Sequence, residues 1–125
     1  MIVHKKSKRV ICINFINGKC PNFNLFKTSG VRIHQDIKTI TDSGYEGIQK
    51  IHLNAELPQK KTKQSPLTKE DKQQNRAIAS ERIINEQVIG QLKRFKIIAD
   101  CYRNRRKRFG LRFNLIAGIY NFELN

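Results

Sequence analysis

From Lys69 to Ile89 the chain runs without a proline or a glycine, and only Gly90 interrupts the pattern before about Ile98. In a chain of 125 residues, one helix of that length decides most of what can be built around it. Pro66 lies just upstream, and Thr68 is followed three residues later by Asp71. That is a capping-box spacing, in which each side chain can satisfy the other's backbone N–H. The apolar positions Ala77, Ile84, Val88, Leu92 and Phe95 form a stripe that predicts a core face. A single glycine costs a helix roughly 1 kcal/mol, so Gly90 need not end it, and it can instead mark the close approach of another backbone.

The opposite side of this helix carries Arg82, Glu86 and Lys93. At 3.6 residues per turn these three fall within about 60° of one another. Two readings are open. One is an intrahelical Arg82–Glu86 ion pair, worth roughly 0.2–0.5 kcal/mol. The other is a face built for chemistry, with one acid between two bases.

The remaining elements are shorter. Arg9 to Ile16 is rich in β-branched and aromatic residues and stops at Asn17-Gly18, which predicts a strand and a turn. Met1 to Val3 would be the stub of a hairpin partner, with His4 to Lys8 as its turn. Pro21 to Ser29 predicts a short helix with Phe23 and Phe26 on its buried side and Gly30 at its end. Ile37 to Thr41 predicts a short strand, with Asp42 at its C-terminal end. Gly47 to His52 reads as another short helix, and Leu57 to Gln64, with Pro58, as an extended basic loop. Leu111 to Leu124 places Phe113, Ile116, Ala117, Tyr120 and Leu124 at helical spacing. The order of elements predicts an α/β or α+β fold, with a sheet that looks too small to be complete.

Charge bounds the function. The formal net charge is +15, and a polyanionic partner fits such an excess; nucleic acid is the first candidate and an anionic membrane surface the second. No apolar run approaches the ~20 residues of a membrane span, and the N-terminus lacks the apolar run of a signal peptide, so the expected compartment is the cytoplasm. Cys12, Cys20 and Cys101, and His4, His34 and His52, are isolated from one another. They read as reduced thiols and solvated histidines, without zinc-ligand spacing.

Asp42 and Glu86 are the candidate catalytic pair. A carboxylate at a strand end and another on a crossing helix can hold Mg²⁺ or Mn²⁺ through hard oxygen ligands. Two metals about 4 Å apart could then activate water or a 3′-hydroxyl for phosphodiester transfer. Asp36, Glu46, Glu56, Glu70 and Asp71 offer no evident third position. The bland alternative for Asp42, which precedes Ser43-Gly44, is a turn residue. Arg103, Arg105, Arg106, Lys107 and Arg108 supply five cations in six residues, with Lys93, Arg94 and Lys96 before them and Arg112 after, and could track phosphates. Lys60, Lys61 and Lys63 could add a second contact. The interleaved Phe95, Tyr102, Phe109 and Phe113 are open to two readings, base stacking or core packing.

These residues resemble a known family. Asp42-Ser43-Gly44-Tyr45-Glu46-Gly47 resembles the segment around the second catalytic aspartate of insertion-sequence transposases of the DDE type. Arg82, Glu86 and Lys93 match their Arg-x₃-Glu-x₆-Lys signature around the third acid. Phe95 to Phe122 and Leu57-Pro58 are similar to the corresponding regions. Ala79 stands where those proteins often have tyrosine, and Pro21-Asn22 where they often have His-Asp. The resemblance implies a partial RNase H-like fold: a small mixed sheet with flanking helices, residues 1–125 being the C-terminal part of the catalytic domain. It implies Asp42 and Glu86 as ligands of Mg²⁺ or Mn²⁺, and Arg82 and Lys93 as contacts to DNA phosphates or as residues that orient the acid. The implied activity is metal-dependent DNA cleavage and strand transfer at element ends. The first catalytic aspartate would belong to a strand before Met1, so the expectation is a polypeptide inactive by itself, whose partners are DNA, an upstream transposase fragment or further copies of itself. The alternative is a small basic nucleic-acid-binding protein without catalysis.

Overall fold

The computed structural model describes residues 1–15, 20–99 and 108–125. The chain divides into two compact units, one formed by Met1–Phe15 with Ile83–Asn125 and the other by Ile16–Arg82.

In the first unit, β1 (Ile2–Val3) pairs antiparallel with β2 (Val10–Cys12), Ile2 opposite Cys12 and Val3 opposite Val10, with an irregularity between the two. The predicted strand is thus shorter than its β-branched run, and Ile16 and the Asn17-Gly18 turn lie outside the described residues. The His4–Arg9 turn closes on itself through His4 N–H to Arg9 O at 2.9 Å and Lys8 N–H to His4 O at 2.8 Å. Lys8 takes a left-handed conformation, φ 57°.

A C-terminal helix, here α4 (Phe109–Glu123), buries Ile116, Ala117 and Tyr120. These join Val10, Val88 and Leu92 in one core. The predicted spacing therefore holds at its centre, while Leu124 at the end is exposed. Asn121 fastens β2 to α4 with both amide functions: Oδ1 accepts Val10 N–H and Nδ2 donates to Val10 O, each at 2.8 Å.

In the second unit α1 (Asn22–Thr28) ends at Gly30, whose φ of 67° suits a residue without a Cβ. Its Phe23 and Phe26 meet the Tyr45 ring edge-on, with centroids 6.0 and 6.3 Å apart. A parallel pair follows, β3 (Thr39–Ile40) with β4 (Ala55–Glu56). Two 3₁₀ turns, Ser43–Tyr45 and Ile48–Lys50, make the crossover. Gly47 precedes the second with φ 89°. Where one small mixed sheet was expected, the described residues form two separate ladders, one antiparallel and one parallel.

His52 corrects the expectation of a solvated side chain. It is 4% exposed, and its Nε2 lies 2.6 Å from Ile37 O, which ties the crossover to the segment before β3. His4 and His34 are exposed as expected. Cys12 and Cys20 are free thiols; Cys101 lies outside the described residues.

The long helix α2 spans Lys69–Leu92, and its cap is the predicted box: Thr68 N–H donates to Asp71 Oδ2 at 3.0 Å and Asp71 N–H to Thr68 Oγ1 at 3.1 Å. Two expectations for its body are corrected. Ala77 is exposed and its neighbour Ile78 is buried, while Val88 and Leu92 are buried as predicted. The N-terminal part of α2 belongs to one unit and its last turns to the other, so one straight stripe does not describe both faces. The helix also stops before Ile98. Lys93 N–H still reaches Ile89 O at 3.0 Å, but Arg94 and Phe95 turn to carbonyls three residues back. That tightening ends α2, and a separate turn of helix, α3 (Lys96–Ala99), follows. A Cβ on Gly90 would meet nothing within 4 Å, so no backbone approaches it closely among the described residues.

Candidate functional site

Asp42 lies just past β3, with Thr41 between them. It stands at the C-terminal end of a strand, and it caps the 3₁₀ turn that follows, its Oδ1 accepting Ser43 N–H at 2.7 Å. The same oxygen lies 3.3 Å from Arg82 Nη1. Oδ2 carries no partner among the described residues. Half of this carboxylate is thus held in place by a backbone amide and a guanidinium, and the other half is free to bind.

Arg82 therefore pairs with Asp42, and the bland Arg82–Glu86 reading is not what the structure shows. Both Arg82 and Asp42 are partly exposed, and such a pair is worth about 0–1 kcal/mol, so its effect is on orientation more than on stability. Tyr45, one turn beyond Asp42, has its phenol pKa raised, first by burial and then by the Asp42 charge. It stays a neutral hydroxyl at physiological pH.

Around this corner the second unit is laced with ion pairs that the sequence reading did not identify. Lys38 meets Glu56 at 2.9 Å and Lys60 meets Glu46 at 2.9 Å. The hydrogen bond to Glu56 is the main reason the Lys38 ammonium pKa is raised. Lys60 in the basic loop is thus partnered, while Lys61 and Lys63 are exposed. The loop itself is tethered by Asn75, which accepts from Gln59 N–H at 2.8 Å and donates to Gln59 O at 2.9 Å.

Glu86 and Lys93 belong to the other unit, where both are exposed. Arg108 immediately precedes α4; Arg103, Arg105, Arg106 and Lys107 lie outside the described residues, as does Tyr102. The interleaved aromatics turn inward. Phe15 meets Phe109 and Phe113 edge-on, with centroids 5.2 Å apart in each case, and Phe95 packs against the core. Rings engaged edge-to-face in this way support the packing reading over base stacking.

For a metal ion, the oxygens of Asp42 and Glu86 fit Mg²⁺ or Mn²⁺ in kind. They do not fit in number: among the described residues no group of three or more His, Cys, Asp or Glu side chains could hold a metal ion.

Known proteins resolve what family this arrangement belongs to. The DDE superfamily endonuclease family matches residues 1–121. The chain belongs to the DDE superfamily endonucleases. Within it, the chain is 49% identical over 124 residues to a probable transposase for insertion sequence element IS702 from Microchaete diplosiphon. That alignment covers 99% of this chain and 45% of the relative, so these residues span less than half of that relative's length. No solved structure matches the chain. No helix among the described residues is long and apolar enough to cross a membrane.

Proposed function

We propose that residues 1–125 are the C-terminal part of the catalytic domain of an insertion-sequence DDE transposase with an RNase H-like fold. In this reading Asp42 and Glu86 are its second and third acids. The observation that carries the proposal is the position of Asp42: at a strand end, with one oxygen fixed by Ser43 N–H and Arg82 and the other unpartnered, in a chain whose family is that of DDE endonucleases.

Asp42 and Glu86 would supply two of the carboxylates for Mg²⁺ or Mn²⁺, the remaining ligands coming from outside these residues; such an ion would supply Lewis-acid activation for phosphodiester cleavage and transfer. Arg82 is a positioning residue. Its guanidinium fixes the direction of the Asp42 carboxylate. Lys93, Arg108 and the cations at Arg103, Arg105, Arg106 and Lys107 would contact phosphates of the element-end DNA.

The two acids are one short of the family's three, so the 125-residue polypeptide alone binds DNA without cutting it. Mixing it with labelled element-end DNA and Mn²⁺ should give salt-sensitive retardation and intact strands. Robust cleavage by this polypeptide would contradict the claim that a third acid is required. The partner that completes the site is an upstream transposase segment, and a reaction at element ends is consistent with more than one copy acting together.

A further inference from the structure

We propose that the His4–Arg9 turn is a preformed contact for the phosphate backbone of duplex DNA, in addition to the helical and C-terminal cations. It rests on the reading of this protein as a DNA-acting one.

Lys5, Lys6, Lys8 and Arg9 occupy four of five consecutive positions, and the first acid in the chain is Asp36. A charge run alone would be an ordinary solvated face, but this one is held in shape. His4 Nδ1 meets Ser7 Oγ at 2.7 Å, and Ser7 N–H donates to the same ring nitrogen at 3.3 Å. His4 and Arg9 are joined across the turn at 2.9 Å. The turn is then fixed from outside: Tyr120 Oη of α4 donates to Lys8 O at 3.2 Å, and the Arg9 guanidinium donates to Asn125 Oδ1, just beyond that helix. Lys8 accepts a left-handed backbone, φ 57°, a conformation that costs a lysine energy it would not spend in a loose loop.

The turn borders a groove. Lys8 and Arg94 line an open depression of about 400 Å³ together with Gln87, Gln91, Tyr120 and Glu123. Gln87 and Gln91 are one helical turn apart on α2 and offer amide donors, the kind of group that joins lysine and arginine on phosphate oxygens. Glu123 is the one carboxylate in this lining, and Arg94 neutralises it. Val88 and Leu124 add apolar surface to the same lining, so it is the cations and amides at its edge, not the depression as a whole, that suit a phosphodiester strand. Because the turn is already ordered, docking onto DNA loses less chain entropy than ordering a free loop would.

The test uses the 125-residue chain and a duplex with element-end sequence. A variant combining Lys6→Ala, Lys8→Gly and Arg9→Ala removes three cations, glycine being suited to the φ of position 8. A control combining Lys50→Ala, Lys69→Ala and Lys72→Ala removes the same charge from exposed positions of the other unit. Three lost phosphate contacts lower the slope of log affinity against log salt by about 2.7. The expected result is a drop of that size for the turn variant and a clearly smaller one for the control. Equal losses in both, or an unchanged slope in the turn variant, overturn the proposal.

Acetylation of the unmodified chain gives a readout independent of any substitution. Lys6 and Lys8 should become protected when duplex is bound, and equal reactivity with and without duplex also overturns the proposal. A chain that binds no DNA even at low salt would instead contradict the transposase reading itself.

Discussion

Asn121 and Asn75 each grip a backbone with both ends of one side-chain amide, the first on Val10 and the second on Gln59. Removing a partner from a buried or half-buried backbone group leaves it unsatisfied, at a cost of about 1–3 kcal/mol. Asn121→Ala should therefore lower the unfolding free energy by about that amount in urea titration, because it frees both the N–H and the carbonyl of Val10. Neither clamp was legible in the sequence, where an isolated asparagine carries no periodic or spacing signal. The Thr68–Asp71 box was legible because its two members must sit three residues apart to work. It also yields a pH dependence. The Thr68 backbone N–H, then its hydroxyl, hold the Asp71 carboxyl below its ordinary value of 3.8. A pKa lowered by folding means the stabilisation is complete above the ordinary value and is lost as pH falls through the lower folded value. Thermal unfolding followed from pH 5 downward should show that loss in the native chain and a shallower dependence in Asp71→Asn. At neutral pH, Thr68→Ala should cost roughly 1 kcal/mol, the usual value of an N-cap.

Helix α2 is the element on which the sequence reading was most informative and most in need of correction. Its start was set by local chemistry and could be placed. Its end was set by a change of hydrogen-bond partner at Arg94 and Phe95, which no breaker residue announces. Its apolar face was read as one stripe, but Ile78 is buried where Ala77 was expected, because the two ends of the helix serve different packing partners. Val88 and Leu92, each 1% exposed, should be the positions most sensitive to truncation. Leu92→Ala is expected to cost about 2–5 kcal/mol, whereas Ala77→Ser should stay within about 0.5 kcal/mol; comparable losses at the two positions would contradict the burial pattern. Strand β4 escaped sequence reading for the opposite reason: two residues, Ala55 and Glu56, cannot display an alternation.

At the scale of the whole molecule, the +15 charge pointed to a polyanion, and the family the chain belongs to is that of the DDE superfamily endonucleases. Individual acids were ambiguous when read alone. Their order and spacing along the chain, from Asp42 through Arg82 and Glu86 to Lys93, carried the recognition that each residue singly could not. The architecture was only partly readable: the hairpin of β1 with β2 and the strand β3 showed in their β-branched runs, but the two residues of β4 and its parallel pairing with β3 carried no signal of their own.

The central claim is that Asp42 and Glu86 act as two acids of one metal-dependent site. The direct measurement is Mn²⁺-dependent cleavage of element-end DNA by this chain joined to the preceding part of its 49% identical relative. The joined protein should cleave, Asp42→Asn and Glu86→Gln should each abolish cleavage while leaving DNA affinity intact, and Arg82→Lys should reduce it. Cleavage that survives Glu86→Gln or Asp42→Asn would contradict the account.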